Sequence, residues 1–92
     1  MRIMKQKYVL SRRAEKDLAN IWQANKYISG ILQACSDIAN APAFLGRSYD
    51  HVRSGYRKYP FGKHVIFYQI QTSGSVLISR ILHERMDYDR YL

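Results

Sequence analysis

Apolar residues recur at steps of three and four along the first half of the chain, and in short unbroken runs along the second. From Ala14 one stripe runs through Leu18, Ile21 and Trp22, then Ile28, Leu32, Cys35, Ile38 and Ala39, the spacing of one face of a helix. Ser11 stands ahead of it as an N-cap, with Glu15 and Asp17 in the first turns, where the helix dipole favours acids. Pro42 ends the stretch. Asn25 breaks the stripe and Gly30 weakens it by about 1 kcal/mol relative to Ala. Residues 11–40 are therefore expected to be helical, either as one long helix or as two joined near Gln23–Lys26.

Lys7–Ser11 is short and β-prone and reads as a strand. Ala43–Gly55 reads as a loop punctuated by Gly46 and Gly55. Tyr56–Tyr59 reads as a strand, with a turn at Pro60, Phe61 and Gly62. His64–Gln71 is apolar on both faces, as a central strand should be. Thr72–Ser75 is a hairpin turn, Val76–His83 a further strand, and Glu84–Leu92 a polar, aromatic-tipped tail. Consecutive strands joined by short turns pair antiparallel. The expected fold is α+β: an N-terminal strand, a helical segment, then an antiparallel sheet of three further strands, with the helical layer on one sheet face.

Ninety-two residues make one domain, 1–92, with a modest core. The net charge of +8 changes the picture more. It draws the protein towards an acidic partner, and between Arg47 and Arg80 six basic residues face one acid, Asp50. Eight tyrosines add amphipathic contact surface. The single cysteine, Cys35, lies on the apolar stripe and reads as a buried side chain in a reducing compartment. No apolar run nears the ~18 residues of a membrane span, and no signal peptide is visible. A cytoplasmic protein without membrane contact is expected. His51, His64 and His83 are scattered, no zinc spacing or phosphate loop is present, and no metal or cofactor is expected.

Four segments carry a family resemblance: Leu10–Trp22 (LSRRAEKDLANIW), Gln23–Pro42 (QANKYISGILQACSDIANAP), Gly55–Ile70 (GYRKYPFGKHVIFYQI) and Ile78–Asp87 (ISRILHERMD). Together they resemble the ParE branch of the RelE/ParE toxin superfamily from Tyr8 to about Leu92, the two C-terminal blocks most specifically. The resemblance implies a toxin of a bacterial type II toxin–antitoxin system, of the kind that stabilises plasmids. It implies a helical hairpin on an antiparallel sheet, a ParD-like antitoxin as neutralising partner and DNA gyrase as target. One departure stands out: Trp22 runs straight into Gln23, where ParE-like chains carry a hairpin turn. About ten residues are missing, roughly 15 Å of helix. The hairpin is then stubby, or the segments fuse into one helix whose second half exchanges with a second copy as a homodimer or swapped oligomer.

RelE-type relatives cut messenger RNA on the ribosome, which needs a base, an acid and cations on the phosphate. Lys63, His64, Tyr88 and several arginines are raw material. The bland reading is that His64 and His83 hydrogen-bond within the fold, and the HERMD block resembles the ParE version of the last strand. The expectation is therefore a non-enzymatic gyrase inhibitor that makes no stable contact with nucleic acid of its own. The alternatives are a ribosome-dependent mRNA endonuclease, or a binding module left non-toxic by the shortened hairpin. Candidate target-binding residues are Arg57, Lys58, Arg80, His83, Arg85, Met86, Arg90 and Tyr91. Arg80 lies in an apolar strand, where an unpaired charge is expensive. It meets either a partner inside the fold or the target. An apolar groove for the antitoxin is expected at Leu18, Ile21, Trp22, Tyr27 and Ile31.

Overall fold

In a computed structural model the described residues are 8–21 and 25–92. Their elements run β1 (Tyr8–Leu10), α1 (Arg12–Ala19), α2 (Asn25–Asn40), α3 (Pro42–Leu45), β2 (Arg47–Ser48), β3 (Arg57–Phe61), β4 (His64–Ile70), β5 (Val76–His83) and α4 (Tyr88–Tyr91). The described strands form one sheet in the order β1-β5-β4-β3-β2. The fold is α+β as expected, and β3, β4 and β5 pair antiparallel. The N-terminal strand pairs parallel to β5, because the chain crosses over the sheet through the helices before returning. The stretch read as loop holds α3 and the edge strand β2, and α4 gives the tail a helical turn.

Ser11 fixes the junction of β1 and α1. Its N–H donates to the Ile78 carbonyl (2.9 Å), its hydroxyl donates to the Ser79 carbonyl (2.7 Å), and the same oxygen accepts from Ala14 N (3.0 Å). Helix α1 ends at Ala19 and α2 starts at Asn25, so the helical segment is two helices. Ala14 of α1 and Ile31, Ala34, Cys35 and Ile38 of α2 share one core with Ile66, Tyr68, Val76, Ile78 and Ile81 of the sheet. The second helix thus folds back on its own sheet. The segment is therefore the short hairpin and not one fused helix. Gly30 makes this possible: a Cβ there would sit 2.6 Å from the Phe61 ring. Burial pushes the Cys35 thiol up to about 12, so it stays protonated and apolar in character.

The opposite sheet face is covered too. Val65, Phe67 and Leu82 pack with Tyr49, and Tyr56, Met86, Tyr88 and Leu92 lean on them. The Tyr88 ring meets Phe67 edge-on at 4.9 Å. This explains why β4 is apolar on both faces. A bulge intervenes in β5: Phe67 pairs with Arg80 but Tyr68 pairs with Ile78, leaving Ser79 extra. It shifts the alternation, so that Val76 and Ile78 and then Ile81 face the helices, while Leu82 faces the tail.

Two polar anchors tie the layers together. β1 covers only Val76–Ile78 of β5. Beyond it, the Ile81 N–H donates to Asp17 Oδ2 (2.9 Å). The same carboxylate takes the Arg80 fork, Nε to Oδ2 and Nη2 to Oδ1, each at 2.8 Å. A third Arg80 nitrogen donates to the Tyr91 carbonyl. At the β3–β4 turn, the Tyr27 hydroxyl accepts from Lys63 N (3.2 Å) and meets His64 Nδ1 at 2.6 Å. Gly62 is required there, since its φ is +57° and a Cβ would lie 2.8 Å from Tyr27. Burial, aided by nearby His83 and opposed by Glu84, holds His64 below the ordinary histidine value.

Two outcomes are expected. Asp17→Ala strands both the Arg80 charge and the Ile81 N–H, and should lower stability in urea unfolding by about 2–4 kcal/mol. Asp17→Asn keeps an acceptor for Ile81 and should cost clearly less. Because the folded-state value of His64 is lowered, the unfolded chain binds its proton more readily. Its contribution is complete above the ordinary value of about 6.5 and is lost as pH falls from there through the lower folded-state value. Between about pH 7.5 and about pH 5 the wild type should lose more stability than His64→Gln.

Candidate functional site

At the C-terminal end of β5 a cleft of about 480 Å³ opens between α1, the paired ends of β4 and β5, and the tail. Its position follows from the local sequence. Helix α1 stops at Ala19, where the Asn20 N–H closes on the Lys16 and Asp17 carbonyls, leaving Asn20 and Ile21 at the rim. The strands supply His64, Arg80, Ile81, Leu82 and His83, and the tail supplies Met86 and Tyr91. His64 and His83 are direct cross-strand partners with ring centroids 5.4 Å apart. An adjoining recess of about 400 Å³ shares Asp17, Asn20, Arg80 and Tyr91 and adds Arg13, Lys16 and Arg90.

The polar groups of the cleft are largely committed. Arg80 is held by Asp17, which together with the surrounding charges pushes the guanidinium further above its ordinary value against the opposing effect of burial. His83 Nδ1 accepts from Arg85 N (3.1 Å), and His64 Nδ1 is engaged by Tyr27. Both histidines therefore hydrogen-bond within the fold, and Arg80 finds its carboxylate and carbonyl inside it. The apolar walls and the cationic recess make a surface suited to contact. No group of three or more histidine, cysteine or acidic side chains is placed to hold a metal among the described residues.

Of the expected target-binding residues, Arg80, His83, Met86 and Tyr91 meet in this cleft, Arg90 lies in the recess, and Arg85 is joined to His83. Arg57 and Lys58 sit apart on β3. Arg57 donates to the carbonyls of Ala43 (3.2 Å) and Gly46 (2.6 Å) and to the Tyr68 hydroxyl (3.1 Å), so it braces α3. Lys58 Nζ lies 4.9 Å over the Tyr49 ring. Ile31 is wholly buried in the protein's own core, because α2 packs directly on the sheet. Leu18 and Tyr27 pack against that core, Ile21 does so while lining the cleft, and Trp22 lies outside the described residues. Sequence reasoning missed Arg13, Lys16, Asp17 and Asn20. The signal was present, since steps of three and four place them on one polar helix stripe.

A sequence model of the family described as ParE toxin of type II toxin-antitoxin system, parDE, matches residues 8–88. The protein called Toxin ParE1 of Mycobacterium tuberculosis is 38% identical over 99 aligned positions, covering 97% of this chain and all of that one. That alignment is longer than this chain, so the relative carries residues with no counterpart here. The Toxin ParE1 of Caulobacter vibrioides is 35% identical over 95 positions, covering 92% of this chain and 96% of that one. Among solved structures, the RelBE2 toxin–antitoxin complex of Mycobacterium tuberculosis contains a chain that superimposes with a TM-score of 0.73 at 17% identity, over 87% of this chain and 99% of that one. The RelB–RelE complex of Methanococcus jannaschii gives 0.66 at 19%, over 91% and 99%. These last two share the fold. No helix among the described residues is long and apolar enough to cross a membrane. The full-length identity and the family match together place the chain in the ParE toxin family of type II toxin–antitoxin systems.

Proposed function

We propose that this toxin acts by binding DNA gyrase, without bond-breaking chemistry of its own, and that a ParD-like antitoxin neutralises it. The observation that carries this reading is the state of Arg80. Phosphodiester cleavage requires a cation free to meet charge that develops in the transition state. Among the described residues, the one guanidinium lining the cleft beside the two histidines is instead forked onto Asp17 at 2.8 Å and bonded to Tyr91. The cleft wall and the Arg13, Lys16 and Arg90 lip fit a contact surface for a protein of opposite charge.

A second reading is supported by the 5.4 Å approach of His64 and His83 within a cleft, on a fold shared with RelE complexes. On that reading the protein is a ribosome-dependent mRNA endonuclease. The two readings separate cleanly. Purified protein with gyrase, ATP and supercoiled plasmid should accumulate linear DNA after protease treatment, while messenger RNA in a translating extract stays intact. Intact plasmid together with cut messenger RNA would overturn the gyrase reading. Harmless expression without antitoxin would instead indicate a binding module that has lost toxicity. Arg90→Ala should weaken gyrase inhibition about 3–10-fold with an unchanged melting temperature, the effect growing at low salt, as for a rim charge.

A further inference from the structure

The proton positions of the two cleft histidines follow from what bonds their other nitrogens. His83 Nδ1 accepts the Arg85 amide at 3.1 Å. An amide can only donate, so Nδ1 carries a lone pair and the proton of the neutral ring sits on Nε2. At His64 the Tyr27 oxygen already accepts from Lys63 N. At 2.6 Å the Tyr27–His64 contact has the length of a bond donated by a hydroxyl, shorter than a usual N–H bond, so the tyrosine proton goes to His64 Nδ1 and not to the Phe61 carbonyl at 3.4 Å. His64 therefore also carries its proton on Nε2. Neither Nε2 has a hydrogen-bond partner among the described residues. No fully buried side-chain nitrogen lacks a partner among them either, so His64 Nε2, on a residue only 9% exposed, opens onto the cleft. Two adjacent strands thus present two N–H donors from rings 5.4 Å apart.

Such a pair seeks an acceptor. A divalent cation is the wrong ligand, since it needs the Nε2 lone pairs that these tautomers cover. We propose that His64 and His83 form a receptor for a carboxylate side chain of a protein partner, whose oxygens accept from the two Nε2–H groups. The charged residues lining the cleft, Asp17 and Arg80, are paired with each other, so no competing net charge stands in it. The walls distinguish a carboxylate from a phosphodiester. Ile21 and Met86 offer apolar contact to the stem of a glutamate. The guanidinium that would hold a sugar–phosphate chain is taken by Asp17.

The source of the carboxylate rests on the partner-binding reading above, but its test uses neither antitoxin nor gyrase, so failure here leaves that reading standing. Titratable and charged groups around the pair are Tyr27 on α2, Lys63 in the turn, Asp17 on α1, Arg80 on β5, Glu84, and Tyr91 on α4. The full chain is titrated by NMR with a blocked Leu-Glu-Leu peptide, its Leu-Gln-Leu isostere and dimethyl phosphate. The glutamate peptide should give saturable shifts of both imidazoles at about 1–10 mM, as expected for a few weak contacts. It should also raise the His64 pKa, because a bound carboxylate favours the imidazolium form. His83→Asn keeps an acceptor for Arg85 and removes the ring donor; it should lose the response at least about 5-fold. Glu84→Gln should strengthen it. The wild-type comparison decides even if a variant fails to fold. An equal response to the glutamine peptide, tighter binding of dimethyl phosphate, or no saturable shift would overturn the proposal.

Discussion

Beyond Ile78, β5 loses its parallel neighbour, and the carboxylate of Asp17 takes over as acceptor for the Ile81 N–H. A strand edge left open is both an unsatisfied row of polar groups and an invitation to wrong pairing. Here a helix side chain closes it. The same carboxylate neutralises Arg80, which in turn holds the Tyr91 carbonyl of the tail. One side chain thus links α1, β5 and α4. The side chains of the pair are only 13% and 15% exposed, so removing one partner leaves a poorly solvated charge.

The site inherits its character from this clamp. With the guanidinium engaged, the cleft offers apolar wall, two imidazole edges and a cationic lip. These are the ingredients of recognition, where aromatic and arginine anchors carry most of the contact energy. The tail closes one side of the cleft while Tyr88 covers Phe67 on the outer sheet face. A short terminal segment therefore does two jobs, finishing the core and presenting Tyr91, Arg90 and Met86 at the rim.

Much of the fold was legible along the chain. The β5 boundaries, the Ser11 cap and the doubly apolar β4 follow from local pattern. The parallel pairing of β1 did not, because periodicity is blind to which strand a crossover returns to. The choice between one helix and two was equally hidden, since a stripe continuing through Trp22 fits both. The tail read as polar because charged residues surround Tyr88 and Leu92, and only their contact with Phe67 and its neighbours shows which side is buried. For the site, Arg80 announced itself as a charge in an apolar strand. Its partner lies sixty-three positions away, and the polar helix stripe that carries Asp17 does not say which strand it faces. Ile31 was placed at an interface because core and groove residues share one helical face.

The most direct test is amide hydrogen exchange at Ile81. If Asp17 closes the β5 edge, the Ile81 amide should exchange as slowly as those in the paired interior of β4. That protection should survive Asp17→Asn and collapse at Ile81 in Asp17→Ala while β4 remains protected. Exchange of the wild-type Ile81 amide at the rate of an exposed loop, or protection indifferent to Asp17→Ala, would contradict the clamp and the arrangement of the cleft built on it.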